Sequence, residues 1–149
     1  MSDTFKPETT NAEIMILRWA LLALTLIFVA SASPNEASGI VSSVINGDTF
    51  EVQGFGLVKL ADINCPEMET MEGVHAREFA MENLLGARVF LDIDDIAREK
   101  TDGARLCLVY LANRNGTPDL NKNFNKMIAR AGFASIRNDS RSEFDPRRW

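Results

Sequence analysis

The sequence predicts an α+β protein built around a small closed β-barrel. Three observations point there. Short alternating apolar runs follow one another, with tight-turn signals between them. One helical pattern interrupts the strands and a second follows them. The length, 149 residues, leaves room for one domain.

Each element has its own local reason. Gly39 to Ile45 reads as a strand, with Val41 alternating against Ser42 and Ser43. Asn46-Gly47-Asp48 is a hairpin-turn signal. Thr49 to Val52 alternates, placing Phe50 and Val52 on one face. Gly54-Phe55-Gly56 makes a second turn, and Leu57 to Ile63 reads as a third strand. Glu72 to Leu85 reads as a helix, with Ala76, Phe79, Ala80, Asn83 and Leu84 at helical spacing and Gly86 as its stop. Arg88 to Asp94 is a fourth strand, carrying Val89, Leu91 and Ile93 on one side. Ala104 to Leu111 is a fifth. Asp119 is expected to cap a second helix with the stripe Leu120, Phe124, Met127, Ile128 and Ala131, ending at Gly132. The order β-β-β-α-β-β-α suits a five-stranded barrel of the OB type, with a helix inserted after strand 3 and a C-terminal helix. A meander alone does not choose it over other α+β folds.

Composition narrows the function. Charged residues are 25% and apolar ones 46%, which excludes wholesale disorder. The net charge is −5, against a protein that coats nucleic acid through bulk positive charge. The acid excess is local: Asp62 to Asp102 holds eleven acids and four bases, and Leu120 to Trp149 holds seven bases and three acids. The basic C-terminal part either steers an anionic substrate or is a solvated face. A single His, His75, excludes a His-rich zinc site and reads as a surface or internally satisfied residue rather than a ligand. Two Cys exclude a disulfide scaffold; Cys65 and Cys107 either pair in an oxidising compartment or stand as separate thiols.

The first third reads differently. Trp19 to Ala32 is fourteen residues without a charge, preceded by Arg18. Ala30-Ser31-Ala32 fits a signal-peptidase site with a cut before Ser33. The competing readings are an uncleaved membrane anchor over residues 14–32, with Arg18 snorkelling, and a buried core helix. Either export reading places the domain outside the cytoplasm. Residues 1–32 are therefore expected to be an export segment, 33–38 a linker and 39–149 the working domain.

Polar residues gather at the strand ends. Asp48 sits in the first turn, and Lys59 lies in the third strand. Asn64, Cys65, Pro66 and Glu67 follow that strand, and Arg105 opens the fifth. Two carboxylates and two cations suit a hard divalent ion beside a phosphate, with a base for water. Asp92 and Asp94 share a strand face but lack the turn glycine and distal Glu of a calcium loop, so they read as a solvated face. Asn115-Gly116-Thr117 and Asn138-Asp139-Ser140 match the N-glycosylation pattern.

Four segments together carry a resemblance: V-I-N-G-D-T-F, then V-K-L-A-D-I-N-C-P-E, then T-D-G-A-R-L-C-L-V-Y-L, then L-N-K before an amphipathic helix. In this order the chain resembles the staphylococcal nuclease (thermonuclease) family over about residues 39–136. The resemblance implies an OB-fold, calcium-dependent phosphodiesterase acting on single-stranded or unpaired DNA and RNA, and a monomer. It implies Asp48 as a metal ligand and Glu67 as the residue that activates water. Asn64 falls where a second metal carboxylate usually stands. Cys65 falls where a Thr usually offers its carbonyl to the metal. Lys59 falls on an arginine that grips the phosphate, and Arg105 matches the arginine that meets developing charge. Asn64 keeps an oxygen but loses a negative charge, and Lys59 loses the planar fork of a guanidinium. Asp62, two positions before Asn64 and on the same strand face by period, is not expected to make up the lost charge. The expectation is an exported, low-specificity calcium nuclease. The rival is an OB-like nucleic-acid or protein binding module whose catalytic site has decayed.

Overall fold

Alternation builds the barrel. Strand β1, Ala37–Val44, buries Val41 and Val44. Strand β2, Thr49–Val52, returns antiparallel beside it and buries Phe50 and Val52. Strand β3, Gly56–Leu60, buries Val58 and Leu60. Helix α1, Met71–Leu84, follows the short strand β4, Ile63–Asn64. Strand β5, Arg88–Ile93, pairs with β1, and strand β6, Arg105–Ala112, pairs with β5. The ring closes where β6 runs parallel to β3, with Val58 opposite Arg105 and Leu60 opposite Cys107. The result is the expected closed five-stranded OB-type barrel with two helices.

The computed structural model describes residues 37–96, 103–137 and 141–149, which fall within one compact unit, Ser33–Trp149. The expected export segment, residues 33–36 of the linker, Asp102 and the sequon at 138–140 lie outside the described residues. Among the described residues no helix is long and apolar enough to cross a membrane.

The core is one cluster. Phe50, Leu60, Leu84, Leu91, Phe124 and Ile128 are its largest fully buried apolar side chains. Each stabilises the fold by roughly 1.5–3 kcal/mol relative to exposure. Phe79 on α1 joins the two helices by stacking on Phe124, centroids 6.1 Å apart, and by touching Phe133 at 5.0 Å.

Three expectations need correction. The run Leu57 to Ile63 is not one strand. It breaks at Ala61-Asp62, where Asp62 adopts φ 55°, a left-handed conformation that Asp tolerates better than most residues. The two residues beyond the break, β4, pair instead with strand β8, Ser135–Ile136. The second helix does not start at Asp119. Pro118–Asn123 is strand β7, paired with β6, and leaves Leu120 59% exposed. Asn123 caps the shorter helix α2, Phe124–Arg130, by accepting from the Lys126 amide at 3.1 Å. Asp94 is not part of a solvated face: it is 1% exposed, and its Oδ1 accepts from the Ile96 amide. Cys65 and Cys107 are separate buried thiols, which resolves the alternative left open by the sequence.

Candidate active site

The turn Asn46-Gly47-Asp48 sets the first residue. The Asn46 side chain accepts from the Asp48 amide at 3.0 Å, bending the chain tightly between β1 and β2. A Cβ on Gly47 would lie 2.7 Å from both Ala76 Cβ and Cys65 Sγ, so only glycine lets α1 and the Cys65 loop close over this turn. Asp48 is thereby carried inside, 4% exposed.

A buried carboxylate needs partners, and Asp48 has three. Its Oδ1 accepts from Thr49 Oγ1 at 2.7 Å and from Lys59 Nζ at 3.1 Å. Its Oδ2 accepts from the Cys65 amide at 3.4 Å. Lys59 reaches it from β3, where Thr49 and Lys59 are cross-strand partners. The Cys65 contact draws the loop after β4 onto the same turn. Asp48, Lys59 and Cys65 are thus brought together by direct contact, as expected of one site. Asn64 is exposed, and its carbonyl accepts from Ser135 Oγ at 3.3 Å.

Glu67 is positioned through its backbone. Its carbonyl accepts from Thr70 Oγ1 at 2.7 Å and from the Thr70 amide at 3.0 Å. Thr70 in turn caps α1, accepting from the Gly73 amide at 3.0 Å. Gly73 is buried in the first turn of α1, and a Cβ there would lie 2.0 Å from the Glu67 carbonyl oxygen. The Glu67 loop therefore lies directly on the helix backbone, with the residue exposed at the surface. Arg105 is exposed at the start of β6, its guanidinium 4.9 Å from the centre of the Phe55 ring. It lines a cavity with Ile93, Asp94, Asp95 and Leu106. No hydrogen bond or ion pair among the described residues joins Arg105 to Asp48, Lys59 or Glu67.

Thr70, Gly73 and Phe55 lie outside the set of residues that the sequence motifs point to. Thr70 had a signal, since Thr immediately before a helical run is a cap pattern. Gly73 and Phe55 act through close approaches between distant segments, which periodicity does not report.

No family model matches the chain. It is 28% identical over 128 residues to Staphylococcal nuclease domain-containing protein 1 of Schizosaccharomyces pombe. The aligned region covers 79% of this chain and 14% of that protein.

The chain is similar to a staphylococcal nuclease domain.

In this nuclease-like domain the residues expected to hold calcium supply one buried carboxylate, and its oxygens are already engaged. Asp48 is already paired with an ammonium. Asn64 supplies no charge, and Asp62 does not compensate: it is 8% exposed, and its carboxylate accepts from Ser142 Oγ at 2.8 Å, in the C-terminal segment. Among the described residues no three His, Cys, Asp or Glu side chains are grouped to hold a metal. Calcium takes six to eight oxygens, usually including several carboxylates.

Cys65 supplies no thiolate either. Burial, and then the negative charge of Asp48, push its thiol up to about 12, with Lys59 pulling the other way. The thiol stays protonated in the folded chain while the unfolded one ionises near its ordinary value of 9.0. Stability is thus expected to fall as pH rises from about 9 towards 12. At pH 8, alkylation of native Cys65 should proceed only as fast as the chain opens, and urea should accelerate it. Rapid stoichiometric labelling of the folded chain would show that the thiol is not held neutral.

Proposed function

We propose that this nuclease-like domain hydrolyses phosphodiester bonds of single-stranded DNA and RNA, slowly and with little sequence preference. Glu67 is the base: it takes a proton from water as the water oxygen bonds to phosphorus. The bond to the leaving sugar oxygen breaks, and that oxygen is protonated from solvent. Arg105 and Lys59 meet the phosphate, whose negative charge grows at its equatorial oxygens.

The observation that carries the reading is the contact of the Cys65 amide with Asp48. It holds the loop bearing Glu67 against the strand pair bearing Lys59. The similarity to a protein named for a staphylococcal nuclease domain supports the same class. No step is routed through calcium, because the donor set does not suit it. A divalent ion would contribute several kcal/mol of transition-state stabilisation, so turnover without one is expected to be slow. Export remains part of the proposal, and fractionation of the native cells tests it.

A second reading has one observation in its favour. The carboxylate expected to share a metal with Asp48 is an uncharged amide, Asn64. A domain with that loss could retain strands without cutting them. An end-labelled single-stranded oligonucleotide separates the two. Shorter labelled products are expected from the full chain. An oligonucleotide bound in a shift assay yet recovered intact after prolonged incubation would replace hydrolysis by binding.

A further inference from the structure

We infer that Lys59 is the built-in cation of this site, standing on Asp48 in place of a divalent metal ion, so that the domain does not bind calcium there. The consequence for turnover rests on the proposed hydrolysis; the replacement itself is a claim about binding.

The geometry is that of a filled position. Asp48 is buried and presents two oxygens. Both are engaged, and the charged partner is Lys59 Nζ, 3.1 Å from Oδ1. The two formal charges cancel. A divalent ion on the same carboxylate would meet like charge from the ammonium and only one negative ligand to offset its own. To admit it, Lys59 would have to swing away, and the ion would still lack further carboxylates, since no three acidic or metal-ligating side chains gather among the described residues. Asn64, the last residue of β4, is neutral. Lys59 and Asn64 depart in the same direction: one adds a resident positive charge and the other leaves out a negative one.

Lys59 also has capacity to spare. An ammonium has three N–H donors, and Asp48 is the one hydrogen-bond acceptor it has among the described residues. Its side chain is 36% exposed. Two donors therefore remain for an incoming phosphate. One group can neutralise the buried aspartate and also contact the substrate anion, which are two tasks commonly given to a metal ion.

The test reads binding, not cleavage. Thermal unfolding of the full chain is followed in chelator, calcium and magnesium at matched ionic strength. The wild-type midpoint should be the same in all three. In Lys59→Met combined with Asn64→Asp, calcium should raise the midpoint saturably, because a bound ion stabilises only the folded chain. A saturable, calcium-specific rise in the wild-type chain would overturn the inference. So would a double variant that folds and still ignores calcium. If that variant fails to fold, calcorimetric titration of calcium into the wild-type chain decides alone: no heat supports the replacement, and a saturating isotherm contradicts it. A wild-type chain that ignores calcium and cleaves nothing would leave this inference standing while removing the proposed hydrolysis. One that cleaves only with calcium bound would overturn this inference and the calcium-free route, while keeping hydrolysis itself.

Discussion

Replacing Gly73 by alanine is expected to destabilise the domain by about 2 kcal/mol, although alanine is the better helix former. Intrinsic propensity alone favours alanine by about 1 kcal/mol. Against it stands the new Cβ, placed 2.0 Å from the Glu67 carbonyl oxygen and 2.6 Å from its carbonyl carbon. These are backbone atoms, so no flexible side chain can move aside. Overpacking of this kind costs about 1–3 kcal/mol, before the propensity gain. The loop must lift, which breaks both hydrogen bonds from Thr70 to Glu67. Displacement of a base by about 1 Å can cost on the order of 10²-fold in rate. The variant should therefore lose activity more than its folded fraction explains. Urea denaturation and initial cleavage rates measured together check this. Unchanged stability would mean that the loop does not rest on the helix.

The second large effect belongs to Asn125. It is completely buried at the start of α2. Its Oδ1 accepts from the Val109 amide at 3.0 Å. Its Nδ2 donates to the carbonyls of Ala61 and Cys107 at 2.9 and 3.1 Å. One side chain thus ties the end of β3, the middle of β6 and α2 together beside the parallel closure of the barrel. Asn125→Ala strands the Val109 amide and the Ala61 carbonyl. Buried groups left unpaired cost about 1–3 kcal/mol each, so a loss of about 3 kcal/mol is expected. The urea midpoint should fall by about 2 M. A change of a few tenths of a kcal/mol would show that water reaches those groups and that the closure does not depend on Asn125.

What could be read in advance divides by range. Strands β1, β2, β5 and β6 and helix α1 were legible because each carries its own alternation or 3.6-residue stripe. Strand β7 was not. Leu120 and Phe124 stand four apart and imitate a helical stripe, but Leu120 faces solvent and the segment is held by β6. The break at Asp62 hid inside a run that alternates as one strand. The β3–β6 closure joins segments nearly fifty residues apart, and no local pattern announces it.

The site divides in the same way. Asp48 stands out through its Asn-Gly-Asp turn, and Glu67 through the resemblance carried by the N-C-P-E run. The ion pair between Asp48 and Lys59 has no such signal, since it depends on the register of β2 against β3. Each residue alone fitted its expected role, one for a metal and one for a phosphate. Their contact is what changes the chemistry expected of both. Asn125 carries no local pattern of its own, because its three partners lie on distant segments.

The proposed hydrolysis uses Glu67 as its base and no calcium step. Its most direct measurement is the initial rate of cleavage of a single-stranded DNA oligonucleotide in excess chelator, by the wild-type chain and by Glu67→Gln side by side. The wild-type rate should be slow and unchanged when calcium replaces the chelator, and the variant should lose about 10²-fold or more. Equal rates for the two chains, or wild-type cleavage that vanishes in chelator, would contradict it.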